Sequence, residues 1–233
     1  MMGYENNEGP IYQSNSTIDT NNFISKVFFR MFLGLLATAI VAAYTYYSGL
    51  LEDFAARGGF LFCIFAEVIV ALVFSLGFRR LSAGAVTALF FAYSILTGLT
   101  FSVIFVTFEL QSIAYAFIGT AAVFGVMSYI GKNTKADLTS LGTILTVSLI
   151  IGIVVSIINL FIGNSMLDII IDWAMIAIFM GFTVYDINKI MSIQTDIENP
   201  DVEKLYVYGA MQLYLDFINL FIRILQIFGK RRN

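Results

Sequence analysis

The side chains best suited to chemistry in this chain are carboxylates placed where carboxylates are costly. Asp216 sits inside LYLDFINLF, Leu213 to Phe221, and Asp186 inside GFTVYDINKI, both dominated by apolar and aromatic residues. At the centre of a membrane-length apolar run such a group costs about 2.5–3.5 kcal/mol on insertion scales, so it is expected to have a partner or a function. Two carboxylates at hydrogen-bond distance in a dry site cannot both stay ionised, and they share a proton. The chain contains no histidine, so such a pair is its means of sensing pH near neutrality. Ionised, the same pair is a site for a hard divalent cation, with Ca²⁺ favoured over softer metals and protons competing with it. The structural alternative is that each aspartate caps backbone or pairs with an arginine.

Residues three and four apart share a helix face. Outward from Asp216 that face carries Tyr208, Gln212, Asn219, Arg223, Gln226 and Lys230, one polar stripe on an otherwise apolar helix. Such a helix belongs against other helices or water rather than lipid. Asp216 and Arg223 are two turns apart, ~10 Å at the helical rise, too far to pair directly. Asp186, near the end of the preceding apolar run, is the candidate partner, provided that the last helix begins before the membrane surface and the two depths match.

Glu67, in CIFAEVIVAL, is a third acid within an apolar run, and Arg79 and Arg80 end that run. The arginines either snorkel to the surface or reach an aspartate and hold a pore shut. Asp168, Asp172 and Glu109 stand at the ends of their runs and are expected to be interfacial, and Asp137 is expected to cap a helix. The single cysteine, Cys63, excludes an internal disulfide and is expected to act as a small hydrophobe.

The elements that must position these groups follow from composition. Of 233 residues 59% are hydrophobic and 12% charged, about half the charge of a soluble domain. Runs of ~20 apolar residues mark spanning helices, and seven are predicted: Val27 to Leu50, Phe60 to Phe78, Ala83 to Phe108, Ser112 to Gly131, Leu138 to Ile162, Leu167 to Ile190 and Leu205 to Phe228. Continuous runs exclude a β-barrel, whose strands alternate in polarity. The links are short except MSIQTDIENPDVEK, between the sixth and seventh spans. The expected class is therefore all-α, a polytopic membrane protein with a polar, flexible N-terminal tail over residues 1–24 and one transmembrane domain over 25–233.

Lysines and arginines of the short loops place the N-terminus in the cytoplasm, with only Arg57 in the outer loops. Seven crossings then put the tail GKRRN outside, against that rule; a last segment that fails to cross fully would also resolve the conflict. A net charge of −3 leaves no basic patch for nucleic acid. Expected partners are the lipid bilayer, calcium ions and protons; the sequence identifies no protein partner. No cofactor is expected beyond Ca²⁺ as a permeant or bound ion, with Asp186 and Asp216 as its ligands.

GFTVYDINKIM followed by LYLDFINLFIRILQIFG resembles the signature of the Bax inhibitor-1 family, the transmembrane Bax inhibitor motif proteins, in a bacterial-type member. GKNTKADLTSLG, and the glutamate of the second span followed by an arginine pair, are similar to that family's pattern too. The resemblance covers about residues 60 to 229. It implies seven transmembrane helices with the seventh central and six around it. It implies a pH-dependent Ca²⁺ leak gated by Asp186 and Asp216, with an arginine at the end of the second span, Arg79 in preference to Arg80, locking the pair.

The expected function is thus a pH-sensitive calcium leak channel, not an enzyme, in a bacterial plasma (inner) membrane. Deprotonation of the pair opens a cytoplasm-facing gate, and Glu67 lines the path. One alternative is a membrane scaffold or cell-stress regulator without transport. Another is a proton-coupled antiporter. A third is an intramembrane aspartyl protease: VYD fits half of that motif, but LYLD lacks the glycines of the other half.

Overall fold

The computed structural model describes residues 20–195 and 202–232. These form nine helices: α1 Thr20–Tyr47, α2 Leu50–Ala56, α3 Gly59–Gly77, α4 Ala83–Phe101, α5 Ile104–Thr107, α6 Leu110–Asn133, α7 Thr139–Ile162, α8 Ser165–Thr195 and α9 Val202–Phe228. Seven stretches are long and apolar enough to cross a membrane, as the sequence predicts. The predicted tail lies outside the described residues up to residue 19, and its last residues begin α1.

Burial follows helical spacing. On α1 the buried positions are Phe23, Val27, Met31, Gly34, Leu35, Thr38, Ala42 and Thr45, a single face, while Phe29, Phe32, Leu36 and Ile40 point outward. That division suits a helix with lipid on one side and protein on the other. α9 is buried along its length, from Tyr206 and Val207 through Leu213 and Tyr214 to Leu225. It packs against α1, α4, α6 and α8, which makes it the central helix. α3 packs mainly on α4 and α7 on α8, so these two are the outermost spans. Their faces carry Phe62, Phe65 and Leu76, and Ile144, Ile151 and Ile158, to the lipid.

Two glycines set the closest helix crossings. A Cβ on Gly98 would lie 2.8 Å from the Thr38 carbonyl oxygen, and one on Gly131 would lie 2.6 Å from the Val184 carbonyl oxygen. Small residues at such crossings let backbones approach where no hydrophobic force drives the helices together.

The third span is not continuous. α4 ends at Phe101, Ser102 donates to the Leu99 carbonyl at 2.6 Å, and α5 adds one further turn before the chain extends at Phe108. That extended stretch receives the C-terminus: Glu109 N–H donates to the Lys230 carbonyl at 3.0 Å and Arg232 N–H to the Thr107 carbonyl at 2.9 Å. α9 is long and apolar enough to cross in full, and within the strap Lys230 is paired at 2.6 Å with Glu109.

The long link predicted between the last two spans is mostly helix. α8 continues to Thr195 and α9 begins at Val202, leaving residues 196–201 outside the described residues. Asp137 stands one residue before the N-cap position and accepts the Thr139 backbone N–H at 2.9 Å. Hydrogen bonds from Thr139 hold its carboxyl below the usual carboxylate range.

Candidate paired-carboxylate site between α8 and α9

α8 and α9 run antiparallel and bring Asp186 and Asp216 together. Both side chains are buried, at 7% and 4% exposure, and each carboxyl group is within hydrogen-bonding reach of the other. The Asp216 Oδ2 atom is buried with no donor directed at it. Two ionised carboxylates have only acceptors to offer each other. A proton held between them would supply the missing donor.

The pair opens into a cavity of about 470 Å³, lined also by Thr146, Tyr185, Lys189, Gln212 and Asn219. Gln212 and Asn219 come from the predicted polar stripe, whose face is turned toward α7 and α8 rather than lipid. Asn219 Nδ2 donates to the Leu215 carbonyl, and Gln212 Nε2 reaches the Tyr208 hydroxyl at 3.3 Å. Both amide oxygens therefore remain as neutral acceptors in a carboxylate site.

Two further cavities flank the first. On the side of the N-terminus a cavity of about 560 Å³ is lined by Lys132, Lys135, Asp137, Asn188, and again Tyr185 and Lys189. Its side is fixed by Lys132, which donates to Asn21 at the start of α1 at 2.9 Å. On the opposite side a cavity of about 670 Å³ is lined by Asp168, Asp172, Gln226 and Arg231, and shares Ile153, Met175 and Arg223 with the central one. The three form a file along α8, with Asp186 and Asp216 in the middle chamber.

Arg223 forms an ion pair with Asp172, Nη1 to Oδ1 at 2.7 Å. It is therefore not free to serve Asp216, and Asp172 is its partly buried partner. Asp168 is exposed and accepts from Asn159 Nδ2.

Other predicted residues lie elsewhere. Arg79 and Arg80 are exposed beyond the end of α3, and among the described residues neither forms an ion pair. Among the described residues, the cation that acts on Asp186 is Lys189, one turn away on α8. Glu67 is half-buried and accepts from Thr100 Oγ1 at 2.9 Å. It does not line the central cavity. It stands toward the opposite side of α9, near Tyr93 and Tyr214.

From the sequence alone Lys189 has no assigned role and Asp172 only an interfacial one. A signal for both existed. Asp172, Met175, Phe179, Phe182, Asp186 and Lys189 follow one another at intervals of three and four, a stripe on α8 facing the stripe on α9.

Comparison with known proteins adds to this geometry. A family model described as "Inhibitor of apoptosis-promoting Bax1" matches residues 20–233. The chain is 39% identical to the inner membrane protein YbhL of Escherichia coli (strain K12) over 90% of its own length and 92% of the relative's. It is 35% identical to the uncharacterized protein RP147 of Rickettsia prowazekii over 94% of each chain. It is 33% identical to the membrane protein M6_Spy0327 of Streptococcus pyogenes, over 96% of this chain and 99% of that one.

Proposed function

The chain belongs to the Bax inhibitor-1 family of multi-pass membrane proteins, and from that premise we propose that it is a calcium leak pathway whose opening follows the protonation of Asp186 and Asp216. The observation that carries this reading is the file of three cavities with the two carboxylates in its central chamber. A structural carboxylate pair has no need of polar chambers on both sides. A permeation path needs them.

The chemistry follows from the ligands. Calcium takes six to eight oxygens in flexible geometry. Two carboxylates with the oxygens of Gln212, Asn219 and Thr146 nearby attract the ion but do not enclose it, and water completes the shell. Conduction requires a site strong enough to enter and weak enough to leave. With a proton between the carboxylates the pair is bound to itself and α8 is tied to α9. Loss of that proton leaves two negative charges that repel each other and attract a divalent cation. The ionisable groups sharing the central chamber are Tyr185 and Lys189 from α8 and Arg223 from α9; α7 contributes only Thr146 and apolar side chains. Lys189 thus tunes the pair from its own helix, while Arg223 is engaged by Asp172. The proposed location is a bacterial inner membrane, like that of the Escherichia coli inner membrane protein YbhL.

The test is Ca²⁺ entry into dye-loaded liposomes carrying the purified protein, between about pH 5 and about pH 8. The wild type leaks Ca²⁺ with a pH midpoint. Asp216→Asn and Asp186→Asn, each monodisperse on size exclusion, lose the pH dependence. Absence of Ca²⁺ entry at every pH would sink the proposal and leave the pair as a latch between two helices, consistent with a scaffold.

A further inference from the structure

We propose that Arg223 and Asp172 form a second closure of the path, between the paired aspartates and the cavity on the C-terminal face of the protein. The proposal rests on the leak reading above and adds to it a barrier that the aspartate pair does not provide.

The geometry is specific. Ile153, Met175 and Arg223 line both the central and the C-terminal-face cavity, so they form the wall between the two. Two of the three are apolar and resist wetting, which by itself opposes ion passage. The third is a permanent cation. A Ca²⁺ ion leaving the aspartates along α9 meets the Arg223 guanidinium two turns away, ~10 Å along the helix. Like charges repel, and more strongly where water is excluded. Asp172 holds the guanidinium in place, with Nη1 to Oδ1 at 2.7 Å, and Gln226 Oε1 accepts from the same nitrogen at 3.2 Å.

The clasp is built to move. The bond uses one nitrogen of a group that can present a bidentate fork, and Arg223 Nε is buried with no acceptor. A second anion lies within reach of a swing, because Asp168 is one helical turn before Asp172 on α8 and lines the outer cavity. Arg223 on Asp172 closes the wall. Arg223 turned outward toward Asp168 draws the charge out of the passage.

The decisive experiment uses side-specific labelling together with flux. In a Cys63→Ala background, Thr146→Cys places a thiol in the central chamber, and a membrane-impermeant methanethiosulfonate is applied only to the face carrying the C-terminus. Arg223→Gln is expected to speed labelling several-fold and to raise Ca²⁺ entry several-fold with the pH midpoint retained. Arg223→Lys keeps the charge and keeps labelling slow. Asp172→Asn leaves an unneutralised cation in the passage and lowers entry, and the double variant Arg223→Gln, Asp172→Asn recovers it. A purely structural clamp would make both single variants less stable and move flux in the same direction. That result, or unchanged labelling and flux in Arg223→Gln, overturns the closure. If the wild type passes no Ca²⁺ while Arg223→Gln still speeds labelling, the closure stands and the leak reading fails.

Discussion

Tyr214 and Asp216 stand two residues apart on α9 and face opposite sides of it. The Tyr214 hydroxyl meets Thr38 Oγ1 on α1 at 2.7 Å, whereas the Asp216 carboxyl meets Asp186 on α8. The central helix is therefore tied on one side by a neutral hydrogen bond that does not titrate near neutrality, and on the other, under the proposed function, by a pair that does. A helix held this way has a fixed side and a releasable side.

The fixed side is testable by Tyr214→Phe. Thr38 already donates to the Ser94 and Gly34 carbonyls, so its hydroxyl is free to accept from Tyr214. Loss of the phenol removes one hydrogen bond without orphaning a donor. The expected cost is about 0.6–1.5 kcal/mol, read as a lower unfolding midpoint in detergent, with the pH profile of Ca²⁺ entry unchanged. A shifted profile would show that the two sides of α9 are coupled.

Gly131 fixes the distance between α6 and α8. A Cβ there meets the Val184 backbone, which cannot yield cheaply. Gly131→Ala is expected to destabilise by about 1–3 kcal/mol through overpacking. Gly119, on the same helix, has nothing within 4 Å of an added Cβ. Gly119→Ala is expected to be neutral or to stabilise by up to about 1 kcal/mol through helix propensity. Equal effects at both sites would refute the close-crossing assignment.

The C-terminal strap makes a separable claim. Its Lys230–Glu109 contact is exposed, with 72% and 37% of the two side chains accessible. Lys230→Ala is therefore expected to change stability by less than about 1 kcal/mol. Removal of residues 229–233 also deletes two backbone bonds to Thr107 and Glu109 and should cost about 1–3 kcal/mol. Thermal unfolding in detergent distinguishes them. A Lys230→Ala variant as unstable as the truncation would place the strap's strength in the ion pair instead.

Much of this was legible from residue type and spacing. Apolar runs of membrane length located all seven spans, and the stripe through Gln212, Asp216, Asn219 and Arg223 identified the face of α9 turned toward protein. Asp186 was identified as partner by loop adjacency and by the family resemblance. The break at Ser102 was not legible, because Ser102 and Val103 interrupt neither the hydropathy nor the pattern. The extension of α8 to Thr195 was hidden for the opposite reason: MSIQT is polar, and polar residues at a helix end read as loop. Partners across helices were least accessible. Arg223 pairs with Asp172, and Arg79 with neither aspartate, because such choices depend on helix rotation and depth that no single helix's periodicity encodes.

Lys189 offers the sharpest test of electrostatic control over the pair. It lies one turn from Asp186 on α8, with its ammonium 5.5 Å from the Tyr185 ring centroid, at the wall between the central and N-terminal-side cavities. A cation beside a carboxylate favours the ionised form. Its removal means that a higher pH is needed to ionise the pair. Lys189→Met keeps the length and apolar stem of the side chain and deletes the charge, so the midpoint of Ca²⁺ entry is expected to move to higher pH. Lys189→Arg retains the charge and should leave the midpoint near that of the wild type. Maximal entry at high pH is a separate readout, since loss of a cation from the wall also lowers a barrier to Ca²⁺; Lys189→Met is expected to raise it. A rise in maximal entry with no movement of the midpoint would mean that Lys189 obstructs the path without tuning the aspartates. A midpoint that moves to lower pH would contradict the placement of the charge altogether.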